Sequence, residues 1–153
     1  MHNPLRRAAF GAVLAGLLTG ALLAAPAAMA NDSPVGLWKS IDDETKKPKA
    51  LIRISEQAGV LIGRIEKILT EKVDALCDKC TDDRKDKPVQ GMTILSGLKK
   101  DGDEWTGGEI LDPNNGKVYK AKAKLIDGGA KLDVRGFLGV AVFGRTQTWL
   151  REQ

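Results

Sequence analysis

Between residues 117 and 126 apolar and charged side chains alternate along the chain. Tyr119, Ala121, Ala123 and Leu125 fall on one phase, and Lys120, Lys122 and Lys124 on the other. A period of two predicts a strand with one dry face and one wet face. Leu132 and Val134 alternate with Lys131, Asp133 and Arg135 in the same way. Candidate strands of this kind are Val35–Ile41, Ala50–Glu56, Val60–Leu69, Met92–Lys99, Glu104–Leu111, Lys117–Ile126, Lys131–Phe137 and Arg145–Arg151. Val60–Leu69 and Glu104–Leu111 carry apolar residues on both phases, which leaves their faces unassigned. Ala58-Gly59, Asp101-Gly102, Pro113-Asn114-Asn115-Gly116 and Asp127-Gly128-Gly129 supply turns that tolerate positive φ. Eight short strands at hairpin spacing, with no amphipathic helix, predict an all-β fold. An antiparallel up-and-down meander of this length closes into a β-barrel and so removes its exposed edges.

Three stretches break the pattern. Thr70–Gln90 has no strand periodicity and is dense in charge; a connection that long in a compact domain is commonly functional or mobile. Gly136–Gly144 holds glycines at 136, 139 and 144. It predicts a bent hairpin with Phe137, Leu138, Val140, Val142 and Phe143 packed at one end of the barrel. The third stretch is the N-terminus, where Arg6 and Arg7 precede an apolar run from Ala8 to Met29 that Pro26 interrupts. Ala28-Met29-Ala30 has the small-x-small form of a secretory cleavage site. A signal peptide over residues 1–30, cut after Ala30, is therefore expected, followed by one barrel domain over 31–153.

A retained membrane anchor is the alternative that the length permits, but the Pro and the Ala-x-Ala ending favour cleavage. No Cys follows the run to take a lipid, and no second segment reaches membrane-spanning length. The expected location is periplasmic or secreted, in a bacterium. Cleavage would change the available chemistry. His2 is the single His, so a chain starting at Asn31 has none, and losing Arg6 and Arg7 halves the net charge of +4. Lys117, Lys120, Lys122 and Lys124 lack the aromatic interleaving of a nucleic-acid surface, so no nucleic-acid partner is expected.

Several motifs occur in order: Gly36-Leu37-Trp38, Cys77-x-x-Cys80, Gly108-Glu109-Ile110-Leu111-Asp112-Pro113, and Gly144-Arg145-Thr146-Gln147-Thr148-Trp149. On these the chain closely resembles an exported bacterial family, domain of unknown function 2147, over nearly all of residues 31–153. The resemblance implies a lipocalin-like, calycin-type barrel and brings no established reaction. Thr45-Lys46-Lys47 stands where the family pattern has a Thr-Gly turn, which puts the first hairpin's geometry in question. Lipocalins also open with Gly-x-Trp, and a basic residue of the last strand covers that Trp. In an eight-stranded meander the end of the last strand lies beside the start of the first. Arg151 is thus the expected cap on Trp38, while Arg145, about 20 Å away along the strand, belongs at the other rim.

Cys77 and Cys80 are the only thiols, and in an exported chain two cysteines most simply form a disulfide. A redox role would want an electropositive βαβ setting, whereas Asp78, Asp82 and Asp83 surround this pair. Zinc would want about four ligands, and no metal or other cofactor is expected. Asp112–Gly116 reads as a hairpin turn rather than a cation loop. Asp42, Asp43 and Glu44 read as a solvated charged turn. No Gly-x-Ser-x-Gly and no phosphate-binding loop is present, so an enzyme ranks last among the function classes.

The polar set of most interest is Arg145, Gln147 and Tyr119 with Trp149. If Trp149 faces inward, Arg145 and Gln147 do too, and buried polar groups need partners. They could hold a small amphipathic or acidic ligand inside the barrel. The weightier alternative is a network with Glu109 or water in a filled barrel, because eight strands leave space only for side chains or one small ligand. The first case describes a carrier or sensor. The second leaves an envelope protein-protein interaction module, using the barrel's outer face or its clipped loop.

Overall fold

The computed structural model describes residues 31–153; the signal-peptide expectation concerns residues outside that range. Eight strands follow one another: β1 (Gly36–Ile41), β2 (Pro48–Gln57), β3 (Val60–Ile68), β4 (Thr93–Asp101), β5 (Glu104–Asp112), β6 (Lys117–Ile126), β7 (Lys131–Phe137) and β8 (Gly144–Glu152). They pair in sequential order as one closed barrel. β8 closes antiparallel on β1, with Trp38 opposite Arg151. Up-and-down connectivity puts residues 31–35 and the β2–β3, β4–β5 and β6–β7 turns at one end, called here the closed end. The other four connections share the open end.

The closed half is filled. Trp38, Ile52, Ile54, Leu61, Leu95, Leu98, Leu132 and Trp149 are all fully buried, as expected where eight strands leave an interior about the width of their own side chains. Toward the open end β1 and β6–β7 contribute small or polar inward residues, Ser40, Ala121 and Gly136, while Ile65 and Ile68 of β3 stay large and buried.

Both strands of unassigned face carry a bulge. In β3 the pairing with β2 shifts from Leu51–Lys67 to Ile52–Ile65, so Glu66 is the extra residue. The β5–β6 register shifts between Trp105 and Gly108. Gly97 (φ +78) and Gly107 (φ +74) sit against each other at the second irregularity. Trp105 pairs with Ala123 and Gly108 with Ala121, so both face inward with two residues between them. A bulge shifts the phase of everything beyond it, and a strict period of two cannot describe such a strand.

The long connection between β3 and β4 is ordered. Val89 N–H donates to the Ala75 carbonyl and Cys77 N–H to that of Lys87, each at 2.9 Å, and Leu76 bridges Pro88. Cys77 and Cys80 are joined by a disulfide and buried. Ile94 and Leu111 are also buried, although they lie on the opposite phase from inward Leu95 and Ile110; together with the loop's Cys77, Cys80 and Val89 they belong to one apolar cluster. The loop rests on the β5–β6 turn at Gly116, where a Cβ would lie 1.9 Å from the Lys79 carbonyl.

The β7–β8 connection departs from expectation. Leu138, Val140, Val142 and Phe143 are exposed rather than packed, Phe143 at 78% and Val142 at 73%. Arg135 explains the difference. It lies on the phase opposite to inward Val134, and its guanidinium donates to the carbonyls of Ala141 (2.6 Å) and Val142 (3.1 Å) and to Thr146 Oγ1 (2.8 Å). The connection is thereby fixed over the outer face, away from the mouth.

Candidate functional site

The inward face of β8 reads Arg145, Gln147, Trp149, Arg151 from the open end to the closed one. At the closed end the Trp38 indole N–H donates to the Pro34 carbonyl at 2.7 Å. The Arg151 guanidinium lies 4.2 Å from the Trp38 ring centroid. It donates to three backbone carbonyls: Gly129 (2.6 Å), Val35 (3.1 Å) and Ser33 (2.8 Å). Burial without a carboxylate partner pushes the Arg151 pKa down from its ordinary value.

The open end is built differently. Arg145 Nη2 and Gln147 Nε2 both donate to Asp43 Oδ2, the latter at 3.2 Å. Below them Trp149 Nε1 donates to Gln147 Oε1 at 3.5 Å. A polar ladder thus descends from solvent, where the Arg145 side chain is 66% exposed and Asp43 33%, to a fully buried indole. Gly136 sits opposite Arg145 and puts no side chain into the mouth. A Cβ there would lie 3.3 Å from Ile110 and 3.5 Å from Tyr119. Ile110, Tyr119, Gly136 and Gln147 face inward yet keep part of their surface in solvent. Ile110 and Tyr119 thus stand across Gly136 from the guanidinium, as an apolar and aromatic side of the barrel's open mouth.

Tyr119 is oriented by the β5–β6 turn, where Asn115 Nδ2 donates to its hydroxyl at 3.0 Å. Asp112 serves that turn, its carboxylate accepting the Asn114 N–H at 3.0 Å. Arg145, Gln147 and Trp149 are therefore linked directly, and Tyr119 shares the mouth without bonding to them. Glu109, the carboxylate expected to partner them, is exposed and pairs across the sheet with Ser96.

The partner is Asp43, from a turn expected to be merely solvated. Within that turn the two aspartates divide the work. Asp42 accepts the Thr45 N–H (2.8 Å), the Thr45 hydroxyl (2.9 Å) and the Glu44 N–H (3.1 Å). The Thr45 N–H, more than any other group, holds the Asp42 carboxyl below its ordinary range. Asp43 is left free to reach β8. A signal for this existed: extending the Trp38–Arg151 register up the two strands brings Asp43 beside the start of β8.

A closed eight-stranded meander, one end plugged by a Trp–Arg pair and the other opening on a polar ladder, defines a lipocalin-like barrel. The solved structure titled "Protein HP1028 from the human pathogen Helicobacter pylori belongs to the lipocalin family" matches it with a TM-score of 0.69 at 17% sequence identity. That match covers 79% of this chain and 84% of the other. The chain belongs to the family described as an uncharacterized protein conserved in bacteria (DUF2147), whose model spans residues 36–151. No curated protein matches it.

Proposed function

We propose that this is an exported binding protein that takes a small amphipathic acid at the open end of the barrel. The carboxylate is received by Arg145 and Gln147, and the apolar part lies against Tyr119 and Ile110. One observation carries the reading: the Asp43 carboxylate already sits between Arg145 and Gln147, so the mouth is built to accept an acid group. The partner is held at the surface and on a loop, where an ion pair is weak and exchangeable. The filled closed half moves the proposed site from the barrel's centre to its mouth. Small-ligand binding also accords with the lipocalin-like fold, which by itself is a weak warrant. Trp38 and Arg151 serve in this reading as the structural plug.

The exposed β7–β8 rim would suit an envelope protein partner, and one titration separates the readings. The probe is a dansyl-labelled undecanoic acid, followed by energy transfer from the tryptophans. The acid should bind saturably, its methyl ester at least tenfold more weakly, and Arg145→Ala should weaken the acid similarly without loss of fold. Equal binding of acid and ester, or an unchanged Arg145→Ala variant, would overturn the proposal.

A further inference from the structure

A second concavity, of about 580 Å3, lies outside the barrel between the disulfide-clipped loop and the outer faces of β3 and β4. Its lining carries three cations, Arg64, Arg84 and Lys87, and one carboxylate, Asp83; Pro88 and Met92 are its only apolar side chains. The volume falls in the range of small-molecule sites. The lining is unlike those of most such sites in being mainly polar.

Both guanidinium groups are fixed from behind. Arg64, outward on β3, donates through Nε to the Gly91 carbonyl. Arg84 is clamped by Asp82, with Nε to both carboxylate oxygens at 3.1 Å and Nη2 to Oδ2 at 2.5 Å. Arg64 keeps both Nη groups and Arg84 keeps Nη1 without a hydrogen bond among the described residues. The same holds for the Lys87 ammonium and for the hydroxyls of Thr93 and Ser96 on the groove's floor. A clamped guanidinium has already lost most of its rotamer freedom, so less is lost when it binds an oxyanion. The Arg84 hydrogen bonds push the Asp82 pKa from 3.8 down to about 2, so the clamp's carboxylate stays ionised into mildly acidic pH.

We propose that this groove binds a small, soluble molecule bearing a phosphate-type oxyanion. Donors from two arginines, a lysine and two hydroxyls lining one groove suit a tetrahedral group with three accepting oxygens. A lining with two apolar side chains offers no wall for an acyl chain, which argues for a soluble phosphate ester rather than a lipid headgroup. The site is separate from the mouth and does not depend on the mouth's proposed role.

The test is isothermal titration of the full chain with inorganic pyrophosphate at fixed ionic strength. Glycerol phosphate and citrate serve as comparison ligands, and co-sedimentation with phosphatidylglycerol vesicles as the lipid arm. Pyrophosphate should bind saturably and at least fivefold more tightly than citrate, with glycerol phosphate detectable and vesicles not retaining the protein. Lys87→Gln should weaken pyrophosphate about fivefold, and Arg84→Gln with Lys87→Gln should abolish binding while far-UV circular dichroism stays unchanged. Arg145→Ala, at the mouth, should leave it intact. Heat that vanishes with added salt, citrate binding as tight as pyrophosphate, retention on vesicles, or a double variant that still binds would each overturn the proposal.

Discussion

Arg145 and Arg151 point into the same barrel from opposite ends of the same strand, and their surroundings differ in every respect. Arg151 is half-buried, stacked on an indole, and bonded to three backbone carbonyls from two separate segments. Backbone carbonyls fixed in the fold cannot leave, and a neutral partner set does not respond to a passing anion. Arg145 is mostly exposed and paired with a carboxylate on a turn. That partner is charged, and in the proposed function an incoming acid replaces it. One residue type on one face of one strand is thus bonded to the backbone scaffold at one end and to an exposed carboxylate at the other. Partner chemistry, more than burial alone, separates the two.

The largest expected effect of breaking this contrast lies at the closed end. Arg151→Ala removes the ring contact and leaves the carbonyls of Gly129, Val35 and Ser33 without their donor. Charged hydrogen bonds contribute about 1.5–3 kcal/mol each and a desolvated cation–π pair up to about 2. Because water will reach part of the site, a net loss of about 3 kcal/mol is expected. Urea unfolding followed by tryptophan fluorescence measures it. A loss below about 1 kcal/mol would mean that Arg151 is a bystander and that the contrast fails.

The same contrast marks how far the sequence was legible. The resemblance to lipocalins implied a basic cap on Trp38, and strand count and chain direction singled out Arg151, because closure of a meander dictates which ends meet. The eight strands were legible where alternation was strict, as in β6 and β7. They were ambiguous in β3 and β5, where bulges shift the phase at Ile65–Lys67 and Trp105–Gly108. Asp43 was hidden because a carboxylate in a charged turn resembles its neighbours. Only its position across the closing seam distinguishes it from Asp42, which is consumed by its own turn. The exposure of Leu138, Val140, Val142 and Phe143 was not readable, since it depends on Arg135 reaching the carbonyls of a loop later in the chain. The outer groove needed the loop's fold, which the disulfide and a set of backbone bonds establish without any periodic signal.

At the open end the expected cost is smaller. Arg145→Ala deletes an exposed ion pair, and such pairs contribute about 0–1 kcal/mol. Gln147 still donates to Asp43, so the ladder keeps its lower rungs. The same urea titration should move by less than about 1 kcal/mol, and the variant should melt as cooperatively as the parent. A loss comparable to that of Arg151→Ala would make Arg145 a second structural plug and remove the distinction between the ends.

The smallest stability change, and the sharpest test of the mouth, comes from Asp43→Asn. The amide keeps the shape and one accepting oxygen, so Arg145 and Gln147 are not left without a partner, and stability should stay within about 0.5 kcal/mol. The charge that competes with an incoming acid is gone. An exposed ion pair of up to about 1 kcal/mol then no longer has to be exchanged for the ligand's, which corresponds to roughly a fivefold tighter dissociation constant for the dansyl acid. The methyl ester should gain nothing, because it never competed for Arg145. If Asp43→Asn binds the acid more weakly, the carboxylate is a part of the ligand's own platform and not its stand-in. Arg145 would then be permanently paired, as Arg151 is.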